Sequence, residues 1–567
     1  MKPRRFPAVL AATLAVACLS APAQSQTFAG APDPIIQRIW RLGQDSSQVE
    51  PLAQTFLDSL GPRLMGSPNL LAAQNWAVKM YGSWGIDAQR ELFGTWRGWR
   101  RGVSHIDLIS PRVRSLEGTM VGFSPGTKRK DIVVEPIILP AFKDSLEFVK
   151  WLPSAKGKMV MISGPQQSCR PSTDWTANAT AASASKMAAL RDSTRFTWGG
   201  SNVRGTGYSA ALGGGELGLR LEQAGAAGAI SFRFKDSRAG MEVFETYNKN
   251  TPTIALSCED YGLVFRLADH KQGPKLRINL DAELLGEQQV GNVIATIKGS
   301  TKPNEYVMLS AHFDSWDAGS GATDNGTGTL VMMEAMRILK KVLPNPQRTI
   351  LVGHWAGEEE GLIGSRVYAA KHQDVVNGMQ ALFNQDNGTG RTTRLSASGW
   401  PMAPNRLLTW WDKLPKEFQE QAPFFGGGGA NTIGQAGGGS DNASFACYGA
   451  PTMGLGAAGW NYSEYTWHTD KDTYDKVVFD DLRGNATMTA MLAYLASEDP
   501  EFIKRDSTIA LITRANPDAN AAAGGRGGAG GRGAGAGGAG GRGNGAPVVR
   551  STATCPTGDT STKPRLR

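Results

Sequence analysis

The chain has 567 residues and a formal net charge of +9, from 60 basic and 51 acidic side chains. Residues 1–26 contribute +3 and residues 524–567 contribute +6, so the body between them is neutral and its charge indicates no nucleic-acid-binding surface. Because 41% of the residues are hydrophobic and 20% are charged, the body can bury a large core, which excludes wholesale disorder, collagen and coiled coil.

The N-terminal residues 1–26 have the pattern of a secretory signal. A basic start precedes the apolar run Ala8–Leu19 and the segment Ala21-Pro22-Ala23, which fits the small-x-small rule for cleavage. A membrane anchor is disfavoured because about 20 apolar residues are needed to cross a bilayer and this run is shorter. Lipoprotein-type cleavage before Cys18 is an alternative. The sequence therefore predicts an exported protein, periplasmic or extracellular, and we find no later membrane span.

We expect a main domain of residues 27–125 and 286–510, interrupted by a smaller, β-rich α/β insertion at residues 126–285. In the main domain, Pro68 and Asn69 precede a helical stretch that Gly82 and Gly85 close, and a strand begins near Ala88. The segment LEQAGAAGAISF of the insertion carries no ionisable cluster, which favours a lid or scaffold role. The insertion has predicted strands at Asp131–Leu139, Lys158–Ser163 and Gly228–Phe232 and a predicted helix at Glu216–Ala227.

Beyond Gly291, apolar strands alternate with helical patterns, such as the one-sided apolar spacing over Val331–Val342. This alternation predicts a mostly parallel, doubly wound sheet flanked by helices. Ligands of such sheets gather at the carboxyl ends of the strands. The other elements of this region are the strands Tyr306–Ala311, Thr349–Trp355, Gln380–Phe383 and Pro451–Leu455 and the helix Leu362–His372.

Histidines and carboxylates occupy these strand ends. They are His312, Asp314, Asp317 and Asp324 after the first strand, Glu358, Glu359 and Glu360 after the second, Asp386 after the third, and His468 in a later loop. Nitrogen and oxygen ligands without cysteine suit catalytic zinc, and a carboxylate shared by two ions makes a two-metal site. These side chains converge only if their strands are neighbours, as the predicted sheet requires.

Four segments resemble the co-catalytic, two-zinc exopeptidases, a family that includes bacterial aminopeptidases, glutamate carboxypeptidase and carboxypeptidase Q. In the family's order they are GPRLMGSP, HFDSWD with GATDNG, AGEEEGLIGS and WHTDKDT. The resemblance covers roughly residues 50–120 and 290–500, and the insertion resembles a protease-associated domain. It implies the zinc aminopeptidase fold and a metallopeptidase activity.

Carried over to this sequence, the resemblance implies two zinc ions per chain and seven site residues. They are His312 and Asp386 on one zinc, Glu359 and His468 on the other, Asp324 bridging both, Glu358 as the general base, and Asp314 as the acceptor that orients the His312 ring. The chemistry needs one carboxylate that is not a ligand, which takes a proton from the attacking water and passes it to the leaving amine. Glu358 and Glu359 can divide these tasks because adjacent loop residues point in different directions.

Three positions depart from the family's pattern: Asn325 stands where Asp is common, Gly357 where Ala is frequent, and Asn442 where His is often found. None of them is an implied ligand. His354 lies within an apolar run, which favours a packed core imidazole over a ligand. We expect the Gly-rich loop Gly426–Ser440 to be mobile. Aromatic residues that could line a pocket, or simply pack, are Trp316, Trp460, Tyr462, Tyr465 and Trp467.

Outside the signal, four cysteines remain and none forms a CxxC pair. Export permits disulfides, and the pairing of Cys169 with Cys258 is the first to test, with two buried free thiols as the alternative. Residues 511–567 predict a disordered Gly/Arg-rich tail, with 14 glycines among the 22 residues 524–545. RNA or surface binding by this tail is disfavoured because it has no aromatic residue to stack on bases.

The sequence therefore predicts an exported zinc exopeptidase that removes single residues from peptide ends or splits dipeptides. Its expected partners are peptide substrates, with no nucleic acid. A catalytically silent peptide-binding or receptor-like homologue of the same fold is the alternative. Recognition of a free amine would need a placed acid and recognition of a free carboxylate a placed cation, and both stay open, as does the oligomeric state.

Overall fold

The computed structural model describes residues 32–505 except 143, 199–215, 234, 236–239, 399, 401, 423 and 428–438, together with Cys555. The predicted secretory signal lies outside the described residues, as do most of the Gly-rich loop and all of the predicted tail except Cys555. Across the described part of the chain, no helix combines the length and the apolar character that crossing a bilayer requires.

The described residues form fourteen strands and fifteen α-helices. Strands β1 to β14 are Asp87–Ser110, Arg114–Ser115, Gly118–Met120, Ile132–Ile138, Lys158–Met161, Gly228–Ser231, Thr253–Leu256, Lys275–Ile297, Lys302–His312, Arg348–Trp355, Met379–Asn384, Thr392–Ser398, Phe424–Gly427 and Thr452–Ala457. Helices α1 to α15 are Pro34–Gln44, Val49–Ala53, Pro68–Ser83, Ser145–Trp151, Ser172–Asn178, Ala181–Thr197, Glu216–Gln223, Cys258–Asp269, Thr327–Val342, Ile363–Lys371, Gln373–Asn377, Met402–Trp411, Lys416–Gln421, Asn442–Cys447 and Phe479–Glu498.

The strands form one sheet in the order β13-β12-β14-β11-β9-β10-β8-β4-β5-β6-β7-β3, with β1 and β2 attached beside β8. The central strands β10, β9, β11 and β14 run parallel to one another. On either side, β8 is antiparallel to β10 and β12 is antiparallel to β14. The predicted α/β class and the parallel centre are confirmed, while the sheet as a whole is mixed.

The main core packs helices against the central strands. The buried residues of α1, α3, α9 and α15 share one hydrophobic cluster with those of β8 to β11. Local sequence sets the helix starts: at α3 the Ser67 hydroxyl oxygen accepts a hydrogen bond from the Leu70 N–H at 3.1 Å, and Pro68 occupies the first turn. Helix α9 is buried almost throughout, and its Glu334 is neutralised by a buried ion pair with Arg337 at 2.7 Å.

The insertion has its own core around the parallel strands β4 to β7 and helix α8. It is joined to the main sheet through β8, whose first residues pair with β4 and whose last residues pair with β10. The domain boundary at residue 285 that the sequence suggested therefore falls inside one continuous strand. Strand β1 follows β8 along almost its whole length as an antiparallel ribbon.

Two disulfides cross-link the described residues. Cys169 and Cys258, the pairing that the sequence left open against two free thiols, form one of them. A second bridge, which the sequence analysis did not propose, joins Cys447 at the end of α14 to Cys555. It fixes one point of the C-terminal region to the main domain.

Candidate metal centre

His312 and Asp386 meet because their strands are neighbours. His312 is the last residue of β9, and Asp386 lies two residues beyond the end of β11, the parallel neighbour of β9. The His312 Nε2 atom lies 3.2 Å from Asp386 Oδ1 and 3.2 Å from Asp324 Oδ1. The imidazole is 1% exposed, so these three side chains form a desolvated cluster.

A second imidazole lies on the other side of Asp324. His468 Nε2 is 3.3 Å from Asp324 Oδ2 and 2.9 Å from Glu359 Oε2. Asp324 thus presents one carboxylate oxygen to each histidine, His312 and His468. The structure brings together all five residues that the resemblance implied as ligands.

Asp314 contacts this centre in two ways. Its backbone carbonyl oxygen accepts from His312 Nδ1 at 3.0 Å, whereas its carboxylate is 3.8 Å from that atom. The carboxylate instead accepts the backbone N–H groups of Glu358 at 3.3 Å and Glu359 at 3.4 Å. The acceptor that orients the His312 ring is therefore the main chain of Asp314, while its side chain shapes the glutamate loop.

Glu358 lies on the His312 side of the centre. One carboxylate oxygen of Glu358, one of Asp386 and one ring nitrogen of His312 lie within 4.8 Å of one another. Burial, reinforced by Asp386 and opposed by His312, raises the pKa of Glu358 well above its ordinary value. The carboxylate is thus close to the cluster without an ion pair of its own among the described side chains.

The crowded charges shift the pKa values of the cluster in opposite directions. Burial disfavours the imidazolium of His468, but the carboxylates of Glu359 and Asp324 outweigh it and raise its pKa to about 9. Burial raises the pKa of Glu359 to about 7 even though His468 opposes the shift. Burial also acts against the charged form of Asp324, but hydrogen bonds from His312 and His468 hold its pKa well below the ordinary value. Together these shifts describe a site built to hold positive charge.

The donor set fits zinc. The His312 nitrogen converges with several carboxylate oxygens, and the His468 nitrogen joins them through Asp324 and Glu359, without sulfur, as in catalytic zinc sites. Among the described residues, the buried Glu359 Oε1 meets no hydrogen-bond donor and Asp324 Oδ2 faces only the His468 imidazole at 3.3 Å, although buried polar atoms are normally satisfied. The residues present therefore fit the metal that the resemblance implies.

Asp472 is a site residue that the sequence analysis did not single out, although it lies within the quoted segment WHTDKDT. Its carboxylate accepts the backbone N–H and the hydroxyl of Thr323, both at 2.7 Å, and the backbone N–H of Asp324 at 2.9 Å. Burial raises the pKa of Asp472 to about 7. Because Asp472 lies four residues after His468, its hydrogen bonds hold the His468 loop against the turn that carries Asp324.

Arg63, in the segment GPRLMGSP, was also missed. Its fully buried guanidinium donates to the carbonyl oxygens of Phe313 at 2.7 Å, Ser320 at 2.7 Å and Gly321 at 2.9 Å. Burial lowers the pKa of Arg63 to about 10, while Asp472 and other site carboxylates oppose the shift. The side chain thus binds both ends of the loop between His312 and the Asp324 turn, at Phe313 on one side and at Ser320 and Gly321 on the other.

The departures from the family pattern have local reasons. Gly357 has φ +78°, and a Cβ there would lie 2.4 Å from the sulfur of Met65, so alanine would be strained. Asn325 donates to the Gln385 carbonyl oxygen at 2.8 Å and accepts from the Gly328 N–H at 3.1 Å, joining the start of α9 to the end of β11. Nothing in the structure explains Asn442, but the preceding Asp441 is buried near Ser365, and burial raises its pKa to about 7.

The other candidate residues differ in whether they contact the centre. His354 is fully buried on β10, its Nε2 lies 2.7 Å from the Tyr81 hydroxyl oxygen, and burial lowers its pKa to about 3. The prediction of a core imidazole is confirmed. Among the aromatic candidates, Trp316 and Trp467 contact the His468 ring, whereas Trp460 is 57% exposed.

Curated proteins similar to this chain include carboxypeptidase Q of Homo sapiens, 24% identical over 343 residues that cover 60% of this chain and 65% of that protein. Carboxypeptidase Q of Xenopus laevis is 26% identical over 348 residues, covering 61% and 66%. The matched region thus spans slightly less than two thirds of these relatives. A glutamate carboxypeptidase 2 homolog of Caenorhabditis briggsae is 31% identical over 225 residues, covering 36% of this chain and 27% of that protein.

Two solved structures share the fold. A peptidase M28 precursor from Shewanella amazonensis superposes with a TM-score of 0.60 and 23% identity, covering 83% of this chain and 97% of that chain. A zinc aminopeptidase from Bacillus subtilis gives a TM-score of 0.51 and 18% identity, covering 80% and 94%. Residues 292–495 match the model of Peptidase family M28. This segment, which contains every predicted ligand, is thus similar to Peptidase family M28, in line with the co-catalytic zinc exopeptidases that its motifs resemble.

Proposed function

We propose that the protein is an exported two-zinc exopeptidase that removes single residues from peptide ends or splits dipeptides. The observation that carries the proposal is the position of Asp324, whose two carboxylate oxygens face two separate imidazoles at 3.2 and 3.3 Å. A single-metal site would not need one carboxylate between two histidines. The family match and the names of the relatives support the same reaction class.

We assign His312 and Asp386 to one zinc, Glu359 and His468 to the other, and Asp324 to both. When bound, zinc supplies a Lewis acid that polarises the scissile carbonyl and makes a water nucleophilic near neutral pH. The Asp314 backbone carbonyl keeps the proton of His312 on Nδ1, which leaves Nε2 free to act as a ligand. Hydrogen bonds with Asp472 and Arg63 thus hold the loops that carry the ligands in place before a metal binds.

Glu358 is assigned as the general base. Its carboxylate takes the proton of the attacking water and passes it to the nitrogen of the leaving amine. The Asp314 carboxylate supports this role because it holds the backbone N–H groups of Glu358 and Glu359, which fixes the two adjacent side chains in different directions. Glu359 can then act as a ligand while Glu358 remains available for proton transfer.

Glu358→Gln tests this division of labour. The variant should retain two zinc ions per chain by elemental analysis while hydrolysing peptides about 10²- to 10⁴-fold more slowly, the usual contribution of a general base. Glu464→Gln, which neutralises an exposed glutamate four residues before His468, is the matched control and should hydrolyse normally. Wild-type protein without zinc, or full activity of the Glu358 variant, would contradict the proposal.

A catalytically silent peptide-binding homologue is the second candidate. The intact set of ligand-type residues argues against it, because a degraded site would be expected to lose at least one of them. A defined peptide library digested by the zinc-loaded protein and read by mass spectrometry separates the two. Shortened peptides support the enzyme and show which end is removed, whereas bound but uncleaved peptides support the silent homologue.

We also propose that the chain is exported. The two disulfides support this, since such bridges persist mainly in oxidising compartments. Fractionation of expressing cells, with non-reducing electrophoresis of the recovered protein, tests the proposal. Exclusive recovery of reduced protein from the cytoplasm would contradict it.

A further inference from the structure

A short segment of the insertion lies directly against the loop that carries His468. The Val243 N–H donates to the His468 carbonyl oxygen at 2.8 Å. Next to it, the Asp470 N–H donates to the Met241 carbonyl oxygen at 3.2 Å, and the Met241 N–H donates to Asp470 Oδ1 at 2.7 Å. Glu242 and Thr469 pair as an antiparallel bridge. The insertion thus adds a strand-like partner to a loop more than 200 residues away in sequence.

The same segment contributes an aromatic ring to the surroundings of the imidazole. The Phe244 ring lies 5.0 Å from the His468 ring, centre to centre, at an interplanar angle of 78°. Trp467 stacks on His468 at 3.7 Å, and Trp316 lies edge-on at 6.1 Å. His468 is therefore held by rings from both the insertion and the main domain.

The backbone of His468 needs such support. Its φ of +58° lies in the left-handed region, which residues with a Cβ disfavour. The hydrogen bond from Val243 holds the carbonyl group of this strained residue. A left-handed conformation at a functional residue persists only where the surrounding structure fixes it.

The segment is in turn anchored to the β1 ribbon. Arg97 on β1 donates to the Thr246 carbonyl oxygen at 2.6 Å and forms an ion pair with Glu245. The Phe244 carbonyl oxygen accepts the Gly122 N–H at 2.7 Å. Contacts to its own backbone and to the two residues after it thus fix the position of Phe244.

We infer that residues 241–246 of the insertion position the His468 ligand, with Phe244 as the main positioning side chain, so that the insertion controls occupancy of one of the two metal sites. This inference rests on the proposed two-zinc function. Hydrogen-bonded groups that orient a ligating histidine change metal affinity 10- to 100-fold when they are removed. His468 Nδ1 meets no such partner among the described residues, so the ring of Phe244 takes the orienting role. The insertion would then be part of the metal centre and more than a cover over it.

Phe244→Ala tests the inference by zinc titration of the full-length protein against a chelating dye that resolves two binding events. We expect one site to keep wild-type affinity and the other to weaken about 10-fold or more. Activity should fall at limiting zinc and recover at excess zinc, which a general packing defect would not produce. Phe265→Ala, which truncates another half-buried phenylalanine of the insertion that packs on Tyr261, is the matched control and should bind both ions normally.

Wild-type affinity at both sites in the Phe244 variant would overturn the inference, and so would equal weakening in the Phe244 and Phe265 variants. If Phe244→Ala does not fold, Phe244→Leu keeps most of the volume without the ring, and an unchanged second site in that variant would also overturn it. Fewer than two zinc ions on the wild-type protein would instead overturn the proposed function, so the two failures are distinguishable.

Discussion

His354 links the buried core to the pH dependence of stability. The ring is fully buried beside Tyr81, and burial lowers its pKa from 6.5 to about 3. In the unfolded chain the ring takes up its proton near the ordinary pKa, so the unfolded state binds more protons between these two values. The contribution of the neutral His354 ring to the free energy of unfolding is therefore complete above the unfolded pKa. It is lost as the pH falls toward the folded pKa.

Linkage between the two pKa values gives a loss of about 2 kcal/mol at pH 5 and about 3 kcal/mol at pH 4, relative to neutral pH. His354→Gln removes this component because glutamine takes up no proton, yet it can still bond the Tyr81 hydroxyl. Urea unfolding of both proteins, metal-free in chelator, from neutral pH to about pH 4 measures the difference. The wild type should lose stability relative to the variant by these amounts, and a pH-independent difference would refute the reasoning.

Two further outcomes follow from individual contacts. Asp472→Asn removes one of the two acceptor oxygens that hold the Asp324 turn and leaves a donor unpaired. This should lower the free energy of unfolding by about 1–3 kcal/mol. Calorimetry should show about 10- to 100-fold weaker zinc binding, whereas Asp475→Asn, at a 70% exposed side chain, should bind zinc normally. Cys555→Ala opens the bridge to Cys447 across 108 residues and should lower the free energy of unfolding by about 2–5 kcal/mol. Normal zinc affinity in the Asp472 variant, or an unchanged urea midpoint in the Cys555 variant, would contradict these expectations.

The strand ends that carry the candidate ligands were predictable because short apolar runs in the sequence mark where each strand lies. Apolar runs such as Tyr306–Ala311 place the elements, and parallel neighbours deliver His312 and Asp386 to the same edge of the sheet. The position of His354 within an apolar strand was enough to assign it to the core. In these cases the relevant information lies within a few residues of the side chain concerned.

Contacts between distant segments were not predictable. Asp472 meets the Asp324 turn across 148 residues, and Met241 meets Asp470 across 229 residues. Neither approach leaves a periodic or compositional trace in a single sequence. The bridge between Cys447 and Cys555 was missed for a related reason, since four cysteines allow three connectivities.

The ribbon formed by β1 and β8 determines how the insertion can move. Its ladder is hydrogen-bonded from the insertion to the main sheet, so these two strands contain no linker about which the insertion could swing. Flexing would concentrate where Gly98 pairs with Gly286, because the register shifts directly after this pair and Gly286 has φ +71°. The ladder has four register shifts, and this is the one at which both paired residues are glycine, so we expect the ribbon to bend most easily there.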